Sequence, residues 1–371
     1  MIGRGVFGLA ASLALAQRGH EVVTVGLRDP GASSEDTSRI IRDDYADDTF
    51  HRNWAAEAME GWLRWNETAE SQLFHPVGLA NLSLSAMRAD SFVGSSFGQG
   101  TDLERLDALS ISDRLPFLTP GRFVDGYLNP AAGWADASET VRFLESECER
   151  GGVGIVPERV ARVGDGWIGL ADDGLLRADR IVVAAGAWTA TLVPESGGIL
   201  TPAGQPVLYL RPADPTPFSG VPVWALDLET TGFYGFPATA DGIVKVGHHG
   251  PGVTRRLEVR SVPERIIDEF RAFLRTAVPV LAGSRIDKTR VCFYSDAPGG
   301  TFVVDSVPGR NRVVVAAGGS GHGFKFAPVI GEVVAAVVLG EDHVRRGPLA
   351  WRDPGTTGDA ARAGGLSGSS R

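Results

Sequence analysis

The chain begins with a glycine motif, Gly3-Arg-Gly5-Val-Phe-Gly8, which limits its fold more than any other feature. The small and apolar residues 6–17 predict a buried helix, and Gly19 can adopt the left-handed conformation that ends a helix. Glu21–Val25 predicts a short strand. This order of glycine turn, helix and strand is typical of a dinucleotide-binding unit, in which the pyrophosphate lies at the helix N-terminus.

Two departures from this pattern concern the neighbouring strands. Only Met1 and Ile2 precede Gly3, whereas a central strand needs about five residues, so we expect the sequence to begin inside its first strand. After the second strand, Gly26 takes the place of the acidic residue that binds the ribose hydroxyls, and Asp29 comes about three residues later. Either Asp29 or a main-chain group makes the ribose contact, or adenosine binding is weakened.

Length and composition restrict the domain count and the partners. At 371 residues the chain exceeds the size at which one core keeps growing, which favours two domains. The net charge of −9 argues against nucleic acid as a partner. The sequence shows neither a secretion signal nor the roughly 18 apolar residues of a membrane span. Two cysteines, Cys148 and Cys292, build neither a disulfide framework nor a zinc site. We expect a cytoplasmic monomer or small homo-oligomer without a metal.

The sequence predicts one sheet that is assembled from distant segments. Two apolar runs, 179–188 and 312–319, resemble buried parallel strands, and a helix is predicted over 326–339. Between them the sequence predicts antiparallel strands, the last two forming a hairpin: Val207–Leu210, Gly232–Pro237 and Gly242–Gly247. We predict a mixed α/β protein with a Rossmann-type cofactor domain (1–67, 136–196, 289–354), an inserted antiparallel-sheet substrate domain (68–135, 197–288) and a disordered tail (355–371).

Two arginines, Arg39 and Arg42, are three residues apart, which predicts that they lie on one side of a helical turn. Guanidinium groups bind carboxylates through paired hydrogen bonds. The pair therefore predicts either a site for a substrate carboxylate or surface ion pairs with Asp43, Asp44 or Asp47.

Two predicted strands carry side chains that are candidates for a catalytic site or for cofactor attachment. Lys245 and His249 share a face of the second hairpin strand if that strand continues, and Tyr234 can face them from the partner strand. Such a lysine is either a solvated surface residue or part of a site. Cys292 and Tyr294 share a face in the same way, and the cysteine is either a small core residue or the attachment point of a cofactor.

Together these segments resemble the flavin-dependent oxidases of the sarcosine oxidase and N-methyl amino acid oxidase family, whose relatives include pipecolate and fructosyl amino acid oxidases. The resemblance runs from Gly3 to about Trp351 and includes the loop Ser320-Gly-His-Gly-Phe-Lys325-Phe. It implies a glutathione-reductase-like flavoprotein fold with FAD as cofactor. The residues that it assigns to the cofactor are Gly3, Gly5, Gly8, Gly186, Trp188, Cys292, Gly319, Gly321, His322, Gly323 and Lys325.

The resemblance also implies roles at the active site. Cys292 carries the flavin through a thioether, and Arg39 lies beside the flavin ring. Arg42 and Lys325 bind the substrate carboxylate. Further assignments are Lys245 for oxygen activation, and Tyr234, His249 and Tyr294 for shaping the amine site.

The implied reaction oxidises the C–N bond of an N-methyl, N-alkyl or cyclic amino acid to an imine and reduces O2 to hydrogen peroxide. Glu35 replaces a histidine that sarcosine oxidases tend to have, so oxidation of a fructosyl or cyclic imino acid is an alternative. A nicotinamide-dependent dehydrogenase would share the glycine motif but would leave Cys292 and Lys325 unexplained. A degenerate flavoprotein that only binds a ligand would explain Gly26 but has no need of buried cations.

Overall fold

The computed structural model describes residues 1–99 and 102–352. The tail predicted to be disordered, 355–371, lies outside these residues. The α-helices of the described part are α1 (Val6–Gln17), α2 (Thr49–Thr68), α3 (Phe92–Gly98), α4 (Ala108–Arg114), α5 (Ala137–Arg150), α6 (Thr189–Leu192), α7 (Glu264–Ala277), α8 (Pro279–Ala282) and α9 (Ala327–Leu339).

The strands form five sheets within the described residues. They are β1 (Val23–Val25), β2 (Arg39–Ile41), β3 (Phe74–His75), β4 (Leu79–Ser83), β5 (Glu104–Asp107), β6 (Asp125–Asn129), β7 (Gly133–Ala135), β8 (Gly154–Val156), β9 (Val160–Gly164), β10 (Trp167–Leu170), β11 (Leu175–Arg177), β12 (Ile181–Val183), β13 (Thr201–Arg211), β14 (Val223–Leu226), β15 (Phe233–Gly235), β16 (Val244–His248), β17 (Arg285–Asp296), β18 (Val303–Ser306) and β19 (Val313–Ala317).

Parallel strands from distant parts of the chain lie side by side, as the sequence predicts. β1 pairs with β8, β12 pairs with β19, and β18 adds an antiparallel strand to β19. Ile2 connects the two halves through parallel bridges to Val25 and Val183. The predicted helices are confirmed, since α1 has the expected bounds and α9 begins one residue later than expected, at Ala327.

Helices α1 and α9 pack so closely that their contact excludes a side chain. A Cβ atom on Gly331 would lie 2.4 Å from the carbonyl oxygen of Ala10, which is too short for a van der Waals contact. Leu9 of α1 and Val333 of α9 are fully buried in the same apolar cluster. This packing fixes the turn before α1 and the loop before α9, and both line one cavity.

The largest sheet has eight strands in the order β17-β13-β16-β15-β14-β4-β6-β5. Its pairs are antiparallel except for β14 and β4, and the predicted hairpin is confirmed as β15 and β16. Phe270 and Leu274 of α7 share a buried cluster with Trp224 of β14 and Val246 of β16. β17 belongs to this sheet along its whole length, whereas the predicted domain boundary at residue 289 divides it.

The helical turn expected around Arg39 and Arg42 is wrong. Arg39–Ile41 is strand β2, which pairs with β7, and β7 also pairs with β3. In an extended chain, side chains alternate between faces, so residues three apart do not share a face. The two arginines accordingly contact different partners.

The meander of β9, β10 and β11 packs on the parallel sheet. Val160 and Ile168 of the meander are buried together with Ile181 and Val313 of the sheet.

No helix among the described residues is long and apolar enough to cross a membrane. In the same residues, no group of His, Cys, Asp and Glu side chains is arranged to hold a metal ion.

Candidate active site

A cavity of about 390 Å³ lies where the two ends of the chain meet, a volume in the range of small-molecule sites. It is bounded by the turn before α1, the end of β1, the segments after β12 and β19, and β17. Its lining includes Gly3, Gly5, Asp29, Arg39, Ala184, Gly186, Trp188, Tyr294, Gly319, Gly321 and Gly323. Most of the residues that the sequence assigns to the cofactor therefore lie at one cavity.

The glycine turn has the geometry of an anion site. Gly3 has φ +115°, and a Cβ atom there would lie 2.3 Å from the carbonyl oxygen of Ala184. Gly8 is equally constrained, because its Cβ would lie 2.0 Å from the carbonyl oxygen of Gly3. Gly5 is the N-cap of α1 and has no side chain to accept hydrogen bonds from the first turn. Apart from the amide of Val6, which donates to Ser34 Oγ at 3.2 Å, the first turn can therefore bind a phosphate.

Two carboxylates near the end of β1 have different surroundings. Asp29 lines the cavity, and its carboxylate accepts hydrogen bonds from Arg260 at 2.8 and 2.9 Å. The carboxylate of Glu35 is held by Arg28 at 2.6 and 2.8 Å. Asp29 and Glu158 are both acidic residues of the cavity lining, and the carboxylate of Asp29 is already held by Arg260, so the ribose contact of Asp29 stays a prediction.

Lys245 lies in a buried ionic cluster around Asp36. The carboxylate of Asp36 accepts hydrogen bonds from Lys245 Nζ at 2.9 Å, from Arg39 and from the hydroxyl of Tyr209. Burial lowers the pKa of Lys245, and although Asp36 opposes that effect, the pKa is reduced from 10.5 to about 8. Burial raises the pKa of Asp36, but the neighbouring cations outweigh burial and hold it well below its usual value. Lys245 is therefore a cation that can lose its proton near neutral pH.

Arg39 connects this cluster to Cys292 and to the cavity. Its Nη2 donates to the sulfur of Cys292 at 3.3 Å, and Arg39 itself lines the cavity. Cys292 is 2% exposed and lies on β17, two residues before Tyr294, which also lines the cavity. The structure thus places the predicted attachment cysteine next to the predicted flavin arginine.

Lys325 begins a hydrogen-bonded chain whose direction can be assigned. Lys325 Nζ donates to the hydroxyl of Tyr45 at 2.8 Å. His322 Nε2 lies 2.9 Å from the carbonyl oxygen of Gly300 and must donate to it, which leaves Nδ1 as the acceptor from Tyr45 at 2.9 Å. Burial lowers the pKa of His322 well below its usual value, which agrees with this neutral form. His322 and Tyr45 thus hold the lysine ammonium in place.

Arg42 is held by a second buried carboxylate. Its Nη1 donates to the main-chain oxygen of Asp44 and, at 3.1 Å, to the carboxylate of Asp44. That carboxylate, which is fully buried, also accepts hydrogen bonds from Tyr127 at 2.5 Å and Asn129 at 3.0 Å. Burial lowers the pKa of Lys325 well below its usual value, and the charge of Arg42 lowers it further. Arg42 and Lys325 are neighbours, since the guanidinium carbon of Arg42 and Nζ of Lys325 lie 4.9 and 4.7 Å from the centre of the Tyr45 ring.

Three further residues that the sequence singles out meet beside the cavity. The hydroxyl of Tyr234 is hydrogen-bonded to Tyr294, and the rings of Tyr294 and His249 are 6.1 Å apart. Gly247 lies opposite Tyr234, and a Cβ atom there would lie 2.5 Å from the Tyr234 ring. Strands β15, β16 and β17 thus bring together the three residues expected to shape the amine site.

The low lysine content of the sequence also points to the site residues, although no motif expresses it. The full sequence has 36 lysines and arginines, of which only three are lysines: Lys245, Lys288 and Lys325. Lys245 and Lys325 are 3% and 4% exposed. Arginine stays charged in proteins, whereas lysine changes its protonation state when it is buried. A chain that uses arginine almost everywhere therefore places lysine at two positions where a cation that can titrate is useful.

The residues fit FAD. An uncapped helix N-terminus bordered by glycines suits a pyrophosphate, and the cavity continues from there to Arg39, Tyr294 and the loop before α9. The sequence motifs alone did not identify Asp36, Asp44 or Tyr45 as site residues. Asp36 and Tyr45 are recognisable only because distant segments bring Lys245 and Lys325 to them, whereas Asp44 is two residues from Arg42 and was a candidate only for an ion pair.

Comparison with known proteins identifies the family of the chain. The model of the family described as "DAO: FAD dependent oxidoreductase" matches residues 1–337. Monomeric sarcosine oxidase from Bacillus sp. (strain NS-129) is 26% identical over 358 residues, covering 90% of this chain and 91% of its own length. N-methyl-L-tryptophan oxidase from Salmonella typhi is 27% identical over 358 residues, covering 92% and 94%. The solved structure of fructosamine oxidase (Amadoriase II) from Aspergillus fumigatus matches with a TM-score of 0.81 at 22% identity, covering 93% and 86%.

Proposed function

Because this chain belongs to the FAD-dependent oxidoreductase family, we propose that it oxidises the C–N bond of a secondary amino acid to an imine, with O2 as the electron acceptor. Sarcosine and N-methyl-L-tryptophan oxidases among its relatives support this reaction class. The structural similarity to fructosamine oxidase supports the shared fold. The observation that carries the proposal is the pair of buried lysines, each held by its own network: Lys245 shares Asp36 with Arg39, which lines the cavity, and Lys325 follows Phe324, which also lines it. A nicotinamide-dependent reaction is not supported by the family assignment.

The glycine turn, Gly186, Trp188 and the loop 319–323 would hold FAD, and Cys292 would attach it covalently. When bound, FAD accepts two electrons from the C–N bond and passes them to O2, which yields hydrogen peroxide. The protein contributes the positions of the reacting groups. Arg39 can hold the sulfur of Cys292 in the position from which it would be attached, because its Nη2 donates to that sulfur.

Arg42 and Lys325 position the substrate in this proposal. Two neighbouring cations, each with hydrogen-bond partners of its own, can bind one carboxylate and fix the orientation of the adjacent amine. Tyr234, Tyr294 and His249 then line the side on which the amine substituent lies. Lys245 has a different task, because an ammonium fixed where O2 is reduced stabilises the negative charge that develops on oxygen.

A peroxide-coupled assay over a panel of amines tests the reaction class. We expect oxygen-dependent peroxide formation with N-methyl, cyclic or fructosyl amino acids, and much slower turnover of the matching amines that lack a carboxylate, because those lose the contacts with Arg42 and Lys325. The member of the panel with the highest kcat/KM identifies the substrate class. A yellow protein that no secondary amino acid reduces under anaerobic conditions would contradict the proposal.

The covalent attachment has its own test, a visible spectrum before and after acid precipitation. We expect the yellow colour of the wild-type protein to stay in the pellet, and Cys292→Ser to release all of it to the supernatant. Cys148→Ala is the matched control, since Cys148 is the other buried cysteine and its thiol donates to the carbonyl oxygen of Leu9. Release of colour from the wild-type protein, or its retention by Cys292→Ser, would show that Cys292 does not carry the flavin.

A further inference from the structure

Asp36 differs from the other carboxylates described above because three cations lie against it. Its side chain is fully buried, and its two oxygens are shared among Lys245, Arg39, Tyr209 and, at 3.7 Å, Arg290. A buried carboxylate with this many partners is costly to desolvate, and removing one partner of such a cluster is strongly destabilising. The cluster therefore needs an explanation beyond stability.

We propose that Asp36 is a positioning residue for the oxygen-reactive site, and that its carboxylate keeps the Lys245 ammonium charged and fixed in one orientation. This inference rests on the role proposed above for Lys245. It concerns a residue that does not line the cavity and acts only through the lysine.

The contacts of Lys245 support this assignment. Nζ donates to Asp36 at 2.9 Å, to the main-chain oxygen of Ser38 at 2.6 Å and to Ser38 Oγ at 3.3 Å. The ring of Phe236 lies 4.6 Å from Nζ on another side. Asp36 favours the charged form of Lys245, whereas Arg39 repels the ammonium. Among the described residues, Asp36 is the one carboxylate in ion-pair contact with Lys245, so it is the main source of stabilisation for the proton.

Hydrogen bonds to both the main chain and the carboxylate of Asp36 fix its position. The carbonyl oxygen of Asp36 accepts hydrogen bonds from the amide and the hydroxyl of Ser138 at the start of α5, at 3.1 and 2.9 Å. The amide of Thr37 donates to the carboxylate at 2.7 Å. The carboxylate therefore cannot follow the lysine if the lysine moves, and it determines where the ammonium lies.

Arg290 provides an independent way to change the same ion pair. It is 8% exposed, donates to the carbonyl oxygen of Ala32 at 2.5 Å and competes with Lys245 for Asp36. Its Nε is buried without a hydrogen-bond partner. Replacing Arg290 by leucine removes a competing cation, so it should strengthen the hold of Asp36 on Lys245, whereas Asp36→Asn should abolish it.

The protonation of Lys245 can be measured directly because the chain has only three lysines. Protein labelled with [ε-¹³C]lysine should give three NMR signals, with the exposed Lys288 as internal reference, and Lys245→Met and Lys325→Met assign the other two. We expect the Lys245 signal to titrate near pH 8 in the wild-type holoenzyme. In Asp36→Asn the midpoint should fall by about 1–3 pH units, while Lys288 is unchanged.

Arg290→Leu should move the Lys245 midpoint in the opposite direction, to higher pH. If Asp36→Asn does not fold, the midpoint in Arg290→Leu is by itself the test of the inference. A midpoint that is unchanged in either folded variant, or that moves the other way, would overturn the inference. The measurement does not depend on turnover. The midpoints can move as expected while the pH dependence of the rate of the reaction with oxygen does not move with them. In that case the proposed role of Lys245 fails, and the role of Asp36 as its counterion remains.

Discussion

Replacing Lys245 by methionine is expected to slow the reaction of the substrate-reduced enzyme with oxygen by about 10²–10³-fold, the usual effect of removing one fixed group that stabilises developing negative charge. Methionine keeps much of the volume but removes the charge and the hydrogen bonds of Nζ to Asp36 and Ser38. Anaerobic reduction by substrate should keep its rate, because the groups assigned to substrate binding, Arg42 and Lys325, are in a different network. Stopped-flow mixing of reduced enzyme with oxygenated buffer separates the two half-reactions.

The same experiment has a predicted pH dependence. Lys245 is charged below its pKa of about 8 and neutral above it, so the wild-type reaction with oxygen should slow as the pH rises through that value. In Lys245→Met this step should be absent, and the rate should stay low at every pH. The matched control is Lys288→Met, which removes the same charge from an exposed position. Reoxidation of Lys245→Met at the wild-type rate would remove the role assigned to this lysine.

The sequence predicted the helices and strands whose residue pattern lies within one continuous segment. The small and apolar residues of α1 are largely buried and the uninterrupted apolar residues of β12 and β19 fully so, and such segments are recognisable without knowledge of their neighbours. The hairpin of β15 and β16 was predictable because its turn residues lie between its strands.

What the sequence did not predict depends on pairing between distant segments. Arg39–Ile41 forms a strand only because β7 is available to pair with it, and i, i+3 spacing gave the wrong expectation of a helical turn. Asp36 and Lys245 are 209 residues apart in the chain, so nothing near Asp36 indicates that it faces a lysine. A buried carboxylate is also a poor expectation from composition alone, since Asp is almost never fully buried without a partner.

Arg42→Ala is expected to raise the KM for the best amino acid substrate by about 10–100-fold, the equivalent of the ~1.5–3 kcal/mol of a hydrogen bond to a charged group. The contacts of Arg42 with Asp44 involve Nη1 alone, and a guanidinium has five N–H donors. Asp44 therefore orients Arg42 and leaves the N–H groups of Nη2 and Nε for a substrate carboxylate. The loss of Arg42 also leaves the fully buried charge of Asp44 near the substrate carboxylate, which it repels.

Removing Arg42 has one effect in the opposite direction. The positive charge of Arg42 contributes to the low pKa of Lys325, so Lys325 should hold its proton more readily in Arg42→Ala and keep part of the affinity. Lys325→Met has no such compensation and should lose at least as much. In Arg42→Ala/Asp44→Asn the repulsion by Asp44 is gone, and the KM should recover in part but not to the wild-type value.

The measurement that isolates this carboxylate site is a comparison of two substrates on each variant: the best amino acid of the panel and its primary amide. The amide has no charge for Arg42 or Lys325 to bind, so the wild-type enzyme should prefer the acid, and the ratio of the two kcat/KM values should fall in Arg42→Ala and Lys325→Met. A general disturbance of folding would lower both values together and leave their ratio unchanged. An unchanged ratio in both variants would mean that the carboxylate is bound elsewhere, and that Asp44 and Tyr45 hold these cations for a different purpose.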